Sequence, residues 1–254
     1  MGRRLGQHFL TAKPLLERIA REACPEYEPR VIEIGAGTGS LTACLLERAA
    51  SVIAIEKDPA LAARLAERFA GAAQLQIVQA DVLALDLGQW GPAVVAGNLP
   101  YYITSPILDK VLALGAHLRR AVLLLQKEVA ERLTAPPRDR AYGFLTVRTR
   151  LFAEPEILFL VGRRAFRPPP QVDSALVRLV PVSPEERWGI TDPHAFLRFA
   201  ARCFRQKRKT IRNNLERYYG PALQALPEAS RRAEELSIEQ LARLWRELDE
   251  PVLR

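Results

Sequence analysis

The segment Val31-Ile32-Glu33-Ile34-Gly35-Ala36-Gly37-Thr38-Gly39-Ser40 joins a short apolar run to a glycine-rich turn. The apolar run predicts a buried β-strand. The glycines that follow let the backbone turn sharply and approach a ligand closely. A helix is predicted next, over about 41–48. A strand, a glycine turn and a helix in this order predict the first unit of an α/β domain.

Strands and helices continue to alternate after this unit. Further strands are predicted at 52–55, 75–78, 93–96, 121–125, 157–161 and 174–180, and intervening helices at 59–69, 105–114, 127–133 and 143–151. This alternation is typical of a mostly parallel sheet that helices cover on both faces. The pattern therefore predicts an α/β, Rossmann-like domain with a seven-stranded sheet.

The C-terminal part has a different pattern. The segment 182–193 is rich in proline and predicts a linker, after which the apolar spacing is purely helical. Ser237-Ile238-Glu239-Gln240 has the spacing of a capping box that opens a last helix. We therefore expect two domains, an α/β domain over 1–182 and a small all-helical domain over 183–254.

Composition narrows the classes of function. The 254 residues are 48% apolar but contain no apolar run of about 18 residues, so no membrane span is expected. The three cysteines and three histidines are scattered, which favours neither disulfides nor a metal site and fits a reducing, cytoplasmic compartment. A net charge of +8 favours an anionic partner.

Three features mark the ends of successive predicted strands: the glycine turn, Glu56 and Asp81. These ends meet at one edge of a parallel sheet, where ligands bind. Glu56 follows Gly35 by about 20 residues, a spacing at which a carboxylate can accept both ribose hydroxyls. Asp81 can accept a hydrogen bond from an adenine amino group. The dinucleotide-binding fingerprint requires glycine where Ser40 stands, and the turn instead resembles the first motif of class I methyltransferases, which bind S-adenosylmethionine.

Asn98-Leu99-Pro100-Tyr101 follows the fourth of these strands. The Asn98 side-chain oxygen and the Pro100 carbonyl can accept two hydrogen bonds from an amino group, and the Tyr101 ring can stack on a flat heterocycle. The stretch resembles the Asn/Asp-x-Pro-Tyr/Phe motif of enzymes that methylate planar amino groups. A polar turn after a strand is the simpler interpretation of these four residues by themselves.

Several segments together resemble the ribosomal RNA adenine dimethyltransferase family, and within it the bacterial small-subunit type. They are Gly6–Leu10, Glu33–Thr42, Asn98–Ile107, Gln126–Leu133, Ala165–Leu179 and Cys203–Leu215. Their order and spacing extend over most of the chain. One departure is His8, at a position where the family often carries Asn.

The resemblance implies an S-adenosylmethionine-dependent (adenine-N6,N6)-dimethyltransferase with a role in ribosome biogenesis. It would modify two adjacent adenosines in a loop near the 3′ end of small-subunit rRNA. His8 and Leu10 would close over the methionine end of the cofactor, beside the turn at Gly35 and Gly37. Glu56 would bind the ribose of the cofactor and Asp81 its adenine. Asn98 would contact both the cofactor and the target base. Tyr101 and Phe166 would sandwich the flipped base.

Basic residues crowd a short stretch that is predicted to be helical: Arg205, Lys207, Arg208, Lys209 and Arg212. Few acidic residues compensate them, which favours phosphate contacts over an ordinary solvated face. The expected partner is small-subunit rRNA or its precursor particle, bound by a monomer that uses neither a metal nor a membrane.

Two alternatives stay open at this point. One is the related large-subunit methyltransferase type that confers antibiotic resistance, which shares the cofactor and base motifs. The segments Phe166–Ala175 and Cys203–Leu215 resemble the small-subunit type more closely. The other is a mainly non-catalytic assembly factor, against which the intact Glu56, Asp81 and Asn98 argue.

Overall fold

The computed structural model describes residues 8–249, so Gly6 and Gln7 of the N-terminal motif lie outside the described residues. The chain forms two compact units. The first contains residues 8–130 and 155–181, and the second contains 131–154 and the segment from 182 onward. The helix-containing segment 131–154 thus packs with the C-terminal helices. The division into functional domains at 182/183 stays a prediction.

Within residues 8–249, nine strands form two sheets. Their bounds are β1 Phe9–Leu10, β2 Val31–Ile34, β3 Val52–Glu56, β4 Leu75–Gln79, β5 Ala93–Asn98, β6 Leu118–Gln126, β7 Ala153–Val161, β8 Phe166–Arg167 and β9 Ser174–Pro181. Seven strands form one sheet in the order β4-β3-β2-β5-β6-β9-β7, while β1 pairs antiparallel with β8. The pairs from β4 to β6 are parallel and the β6–β9 pair is antiparallel. The predicted mostly parallel, seven-stranded sheet is confirmed.

Ten α-helices accompany these strands among residues 8–249. They are α1 Lys13–Ala23, α2 Ser40–Leu46, α3 Pro59–Arg68, α4 Thr104–Leu112, α5 Lys127–Thr134, α6 Phe144–Phe152, α7 Pro184–Trp188, α8 Pro193–Cys203, α9 Ile211–Tyr219 and α10 Ile238–Asp249. No helix within the described range is long and apolar enough to cross a membrane.

The predicted linker at 182–193 contains a helix, α7, so that prediction is wrong for its central part. Ser183 caps the helix, because its hydroxyl oxygen accepts the Glu186 N–H at 3.2 Å. Pro184 occupies the first turn, where its missing N–H costs nothing. Pro184 and Pro193, two of the prolines that suggested a linker, each stand in the first turn of a helix.

The centre of the large sheet is buried on both faces. Every residue of β2 and β3 is buried, and so are the first five residues of β5. Such strands consist of near-continuous apolar runs because helices cover both sides of a parallel sheet. This burial fixes the strand ends, and with them the polar residues that follow each strand.

The second unit has a core of its own. Phe196 and Phe199 of α8 pack with Leu241 and Trp245 of α10. The predicted capping box of α10 is confirmed: the Ser237 hydroxyl accepts the Gln240 N–H at 3.3 Å, and the Gln240 side chain accepts the Ser237 N–H at 3.1 Å. These contacts define a helical unit as expected.

Gly97 lies at the end of β5 that faces Ile34 of β2. It pairs with Ile34, and a Cβ atom added at Gly97 would lie 2.4 Å from the Ile34 carbonyl oxygen. A real Cβ cannot occupy that position, so any side chain here would push the two strands apart. Asn98 follows directly, which makes its position dependent on this close approach.

We expect Gly97→Ala to lower the free energy of unfolding by about 1–3 kcal/mol, the usual cost of overpacking a core. Urea unfolding followed by circular dichroism measures the change. Gly162→Ala is the matched control, because an added Cβ at Gly162 meets nothing within 4 Å and its φ is −66°. Equal stabilities of the two variants would contradict the steric argument.

Candidate active site

A cleft lies at the carboxyl ends of β2, β3 and β5. Its empty volume is about 850 Å³ when the open mouth is included. Most of the residues that the sequence singled out line it: His8, Gly35, Gly37, Glu56, Asp81, Asn98, Pro100 and Tyr101. Leu10 lines a smaller adjoining cavity, together with Glu33 and the glycine turn. The structure thus brings together residues that are far apart in sequence.

The glycine turn leaves β2 with three left-handed residues. Gly35, Gly37 and Gly39 have φ values of +74°, +57° and +79°, which favour glycine over any other residue. The N–H groups of Gly35 and Ala36 both donate to the Ile55 carbonyl, at 2.9 and 3.2 Å. These bonds hold the turn against the end of β3.

Backbone N–H groups hold the Glu56 carboxylate in place. One oxygen accepts the Gly37 N–H at 2.8 Å, and the other accepts the Asp58 N–H at 2.8 Å. The side chain is buried at the edge of the cleft. Each carboxylate oxygen has a further lone pair. Glu56 is therefore fixed in orientation and can still accept hydrogen bonds from a diol.

Asp81 has a partner that the sequence did not suggest. One Asp81 oxygen accepts the Leu83 N–H at 3.0 Å, and the other lies 2.7 Å from the Lys57 ammonium. The Lys57 hydrogen bond is the main cause that lowers the pKa of the Asp81 carboxyl. Lys57 follows the strand-end Glu56 directly, and this adjacency is the sequence signal that could have identified it.

The side-chain amide of Asn98 is oriented by a backbone carbonyl. Its Nδ2 donates to the His8 carbonyl oxygen at 2.9 Å. Because a carbonyl only accepts, this contact assigns the amide nitrogen to the His8 side. The Asn98 Oδ1 is the atom that remains to accept a hydrogen bond from another donor. The predicted acceptor role of Asn98 thus has a defined atom.

The Pro100 carbonyl is less available than the sequence suggested. It accepts the Ile103 N–H at 3.2 Å and the Thr104 hydroxyl at 3.2 Å, because it opens a short helical turn over Tyr101–Ile103. The Leu99 carbonyl receives no hydrogen bond from residues 8–249. Leu99 also lines the cleft, which makes its carbonyl the more available backbone acceptor.

Two contacts fix the Tyr101 side chain, one at its hydroxyl and one on its ring. Its hydroxyl shares a 2.8 Å hydrogen bond with the buried Ser174 hydroxyl, and the His8 ring stacks on it with centroids 5.8 Å apart. Burial raises the pKa of the Tyr101 phenol, so this group stays neutral near pH 7. Ser174 was missed by the sequence reasoning because its chain neighbours suggest only a strand start.

Phe166 is not brought to the cleft. Its side chain is 0% exposed and packs in the hydrophobic core of the first unit, beside its β-bridge partner Leu10. Tyr101 and Phe166 therefore do not form two walls of one slot in this arrangement. The predicted stacking role of Phe166 requires a ring position that differs from the one observed.

The basic stretch belongs to the second unit and is not helical along its length. α8 ends at Cys203 and α9 begins at Ile211, so four of the predicted residues lie on the connecting turn: Arg205, Lys207, Arg208 and Lys209. Arg212 lies in the first turn of α9, and all five side chains are exposed. Lys207 pairs with Glu234 at 3.5 Å and donates to the Arg140 carbonyl at 2.7 Å.

Glu33 is a buried carboxyl beneath the glycine turn. The Thr42 hydroxyl donates to it at 2.6 Å. Burial raises the pKa of Glu33 from 4.5 to about 8; the Thr42 hydrogen bond opposes this shift and the nearby Glu56 charge adds to it. The folded protein therefore holds a proton on Glu33 at pH 7 that the unfolded chain would release.

We expect this proton to make stability depend on pH. Because the folded pKa of Glu33 is the higher one, its contribution is fully present below pH 4.5 and is lost as pH rises through 8. Glu33→Gln removes the titration, so the variant should gain about 5 °C or more in Tm relative to wild type between pH 5 and pH 8.5.

Differential scanning calorimetry at the two pH values measures this relative gain. Glu47→Gln serves as the control, because Glu47 is exposed on the surface after α2 and should show no such change. A constant difference in Tm between Glu33→Gln and wild type would contradict the buried-proton explanation.

Residues 8–249 contain no group of three or more His, Cys, Asp and Glu side chains placed to hold a metal ion. A Rossmann-like sheet with a glycine turn, a strand-end carboxylate and an Asn-x-Pro-Tyr loop at one edge defines a class I methyltransferase.

The chain belongs to the family described as "Ribosomal RNA adenine dimethylase", whose model matches residues 2–250. The range that the family model matches includes both compact units.

Similar proteins cover nearly the whole chain. "Ribosomal RNA small subunit methyltransferase A" of Chlorobium luteolum is 42% identical over 249 residues, which are 96% of this chain and 88% of that protein. The protein of the same name from Acidobacterium capsulatum is 42% identical over 259 residues, with 97% and 91% coverage.

Two solved structures are also similar. The 23S rRNA methyltransferase ErmE has a TM-score of 0.76 at 30% identity, covering 95% of this chain and 99% of that one. A dimethyladenosine transferase from Plasmodium falciparum has a TM-score of 0.81 at 26% identity, with 97% and 98% coverage.

Proposed function

We propose that this protein transfers methyl groups from S-adenosylmethionine to N6 of two adjacent adenosines in a loop near the 3′ end of small-subunit rRNA, in the cytoplasm, during ribosome biogenesis. The observation that carries the proposal is the Asn98 amide, whose nitrogen is held by the His8 carbonyl while its oxygen is left for a donor. The names of the 42% identical relatives support the small-subunit substrate.

The residues of the cleft fit the proposed cofactor. Glu56 offers a fixed carboxylate to the ribose hydroxyls and Asp81 offers one to the adenine amino group. Gly35 and Gly37 let the backbone approach the cofactor without a Cβ in the way. His8 and Leu10, near the glycine turn in the two adjoining cavities, would lie toward the methionine end. When bound, S-adenosylmethionine supplies an electrophilic methyl group.

The chain's own task is to orient a weak nucleophile. The adenine N6 lone pair is delocalised into the ring, so the nitrogen attacks poorly unless its hydrogens are held. The Asn98 Oδ1 accepts one amino hydrogen, and this contact strengthens as the nitrogen becomes positively charged. The backbone carbonyl of Leu99 takes the second hydrogen more readily than that of Pro100, whose lone pairs are engaged.

Tyr101 supports the same step by stacking. Its ring is held by Ser174 and presents a face to the cleft, and base–aromatic stacking contributes about 1–3 kcal/mol. The target base has to leave its stack to reach this ring, which costs least in a loop or single strand. The second methylation has only one amino hydrogen left, so the monomethyl amine must turn within the pocket while Asn98 keeps that hydrogen bond.

Asn98→Ala should lower the methylation rate by about two orders of magnitude or more, because it removes the oriented acceptor. Single-turnover assays with labelled cofactor measure the rate, and titration calorimetry measures cofactor affinity, which should change much less. Asn98→Asp should also be impaired, because a carboxylate cannot donate to the His8 carbonyl. Near-normal turnover of Asn98→Ala would exclude the proposed role.

The choice of substrate is tested by methylation of three nucleic acids: small-subunit particles, large-subunit rRNA and DNA. Nucleoside analysis then identifies the product. Dimethyladenosine in the small-subunit sample alone is the expected result. Product in the large-subunit sample would favour the large-subunit methyltransferase type, which the similarity to ErmE also supports. Absence of product with intact particle binding would favour a non-catalytic assembly factor.

The exposed basic residues of the second unit would contact RNA phosphates. Arg205, Arg208, Lys209 and Arg212 have no ion pair with an acidic side chain among residues 8–249, whereas Lys207 is partly neutralised by Glu234. A polyanion gains more from side chains that are not already paired. We therefore expect Lys207 to contribute less to RNA binding than its neighbours.

Replacing Arg208, Lys209 and Arg212 with Gln should flatten the salt dependence of RNA binding. Each lost phosphate contact lowers the slope of log affinity against log salt by about 0.7, so the triple variant should lose about 2. Fluorescence anisotropy over a salt series measures this slope. The control is a second triple variant with the same net charge, in which Gln replaces the exposed residues Arg21, Arg64 and Arg243. If the two triple variants showed the same slope, a local phosphate contact at Arg208, Lys209 and Arg212 would be contradicted.

A further inference from the structure

The loop 135–143, which joins α5 to α6 in the second unit, contains a strained residue. Arg138 has a φ of +72°, and within residues 8–249 it is the one residue other than glycine with a positive φ. An L-residue in this left-handed region brings its Cβ close to the following carbonyl oxygen, which costs free energy. Strain of this kind persists only where the surrounding contacts impose it, and it is concentrated at functional sites.

Contacts at both ends of the loop impose its shape. The Arg138 N–H donates to the Glu234 carbonyl at 2.8 Å, and the Tyr142 hydroxyl donates to the Leu236 carbonyl at 2.8 Å. Ala135 and Tyr142 are both buried in the hydrophobic core of the second unit. The loop is therefore held in one conformation, although its middle is exposed.

Lys207 connects this loop to the basic turn, residues 204–210 between α8 and α9. Its ammonium donates to the Arg140 carbonyl oxygen at 2.7 Å and lies 3.5 Å from a carboxylate oxygen of Glu234. Lys207 thus uses its charge and a hydrogen bond within the protein. The main chain of the loop is fastened to the basic turn by this one side chain.

The exposed surface of the loop is positive. The side chains of Arg138 and Arg140 are exposed and make no ion pair with an acidic side chain among residues 8–249. Asp139, the one acid of the loop, accepts the Ala141 N–H at 2.7 Å. The basic turn adds three exposed cations that also have no acidic partner in the described range: Arg205, Arg208 and Lys209.

We propose that the loop 135–143 and the basic turn form the two sides of one surface that binds RNA phosphates. Arg138 and Arg140 contact phosphates, and Lys207 is a positioning residue that holds the loop. This inference deepens the proposed function and rests on it. The planar guanidinium group matches the oxygens of a phosphate. A loop that is already fixed loses little conformational freedom when RNA binds, which is the advantage that offsets the strain.

Replacing Arg138 and Arg140 with Gln should flatten the salt dependence of RNA binding. Each lost phosphate contact lowers the slope of log affinity against log salt by about 0.7, so the double variant should lose about 1.4. Fluorescence anisotropy with a labelled RNA of the small-subunit 3′ loop measures the slope. The control with the same net charge replaces the exposed residues Arg198 and Arg243 with Gln. Equal slopes in the two double variants would overturn the inference.

Arg138→Gly separates RNA binding from stability. Glycine adopts a φ of +72° without a Cβ penalty, and this relief offsets its greater freedom in the unfolded chain. The Tm should therefore stay level or rise, while the salt slope falls by about 0.7. A lower Tm with an unchanged slope would show that Arg138 serves the fold alone and would overturn its phosphate contact.

A double-mutant cycle tests the positioning role of Lys207. Lys207→Ala should weaken RNA binding in the wild-type background, because the loop loses its anchor to the basic turn. In the background with Gln at Arg138 and Arg140, the same change should alter the affinity by less than about twofold, since no loop contacts remain to be positioned. Additive losses would show that Lys207 contacts a phosphate itself and would overturn its positioning role.

Failure of the proposed function is distinguishable from failure of this inference. Methylation of small-subunit particles by the wild-type protein tests the activity, whereas the anisotropy slopes test the surface. If the wild type formed dimethyladenosine and the loop variants kept its salt slope, the surface would be excluded and the activity retained. If the wild type formed none while the loop variants lowered the slope, the surface would be supported and the proposed activity contradicted.

Discussion

The hydrogen bond from the Asn98 amide to the His8 carbonyl connects two segments on which the site depends. β1 brings His8 to the cleft by pairing with β8, and β5 brings Asn98 by packing against β2. The absence of a side chain at Gly97 lets β5 lie against Ile34 of β2 just before Asn98. If this bond were lost, the amide could turn over and present its nitrogen instead of its oxygen to the substrate.

On the other side of the cleft, hydrogen bonds fix the carboxylates, and most of the donors are backbone N–H groups. Two N–H groups fix Glu56, and one N–H and the Lys57 ammonium fix Asp81. Glu33 keeps its proton because it is fully buried, and the hydrogen bond from the Thr42 hydroxyl only partly offsets the effect of burial on its pKa. Asp81 and Glu33 thus have opposite pKa shifts, because a cation and a backbone N–H stabilise the Asp81 carboxylate whereas burial disfavours the charged form of Glu33.

The predictions that failed share a physical cause. Charge and apolar spacing predicted a helix through Arg205–Arg212, but α8 ends at Cys203 and the chain turns before α9. A proline-rich composition predicted a linker where Ser183 and Pro184 start a helix. The roles of Pro100 and Phe166 stay predictions; in the structure a local turn engages the Pro100 carbonyl and the core buries the Phe166 ring. Local composition does not show which long-range contacts form in the folded chain.

The sequence by itself determined the fold class and the acidic and amide groups at the strand ends, because strand periodicity and glycine turns are local signals. Gly35, Glu56, Asp81 and Asn98 were found in this way. Only the tertiary structure decided which atoms are free to act. The orientation of Asn98, the pairing of Lys57 with Asp81, and the position of His8 against Tyr101 depend on contacts between residues far apart in the chain. Such contacts leave no periodic pattern in a sequence.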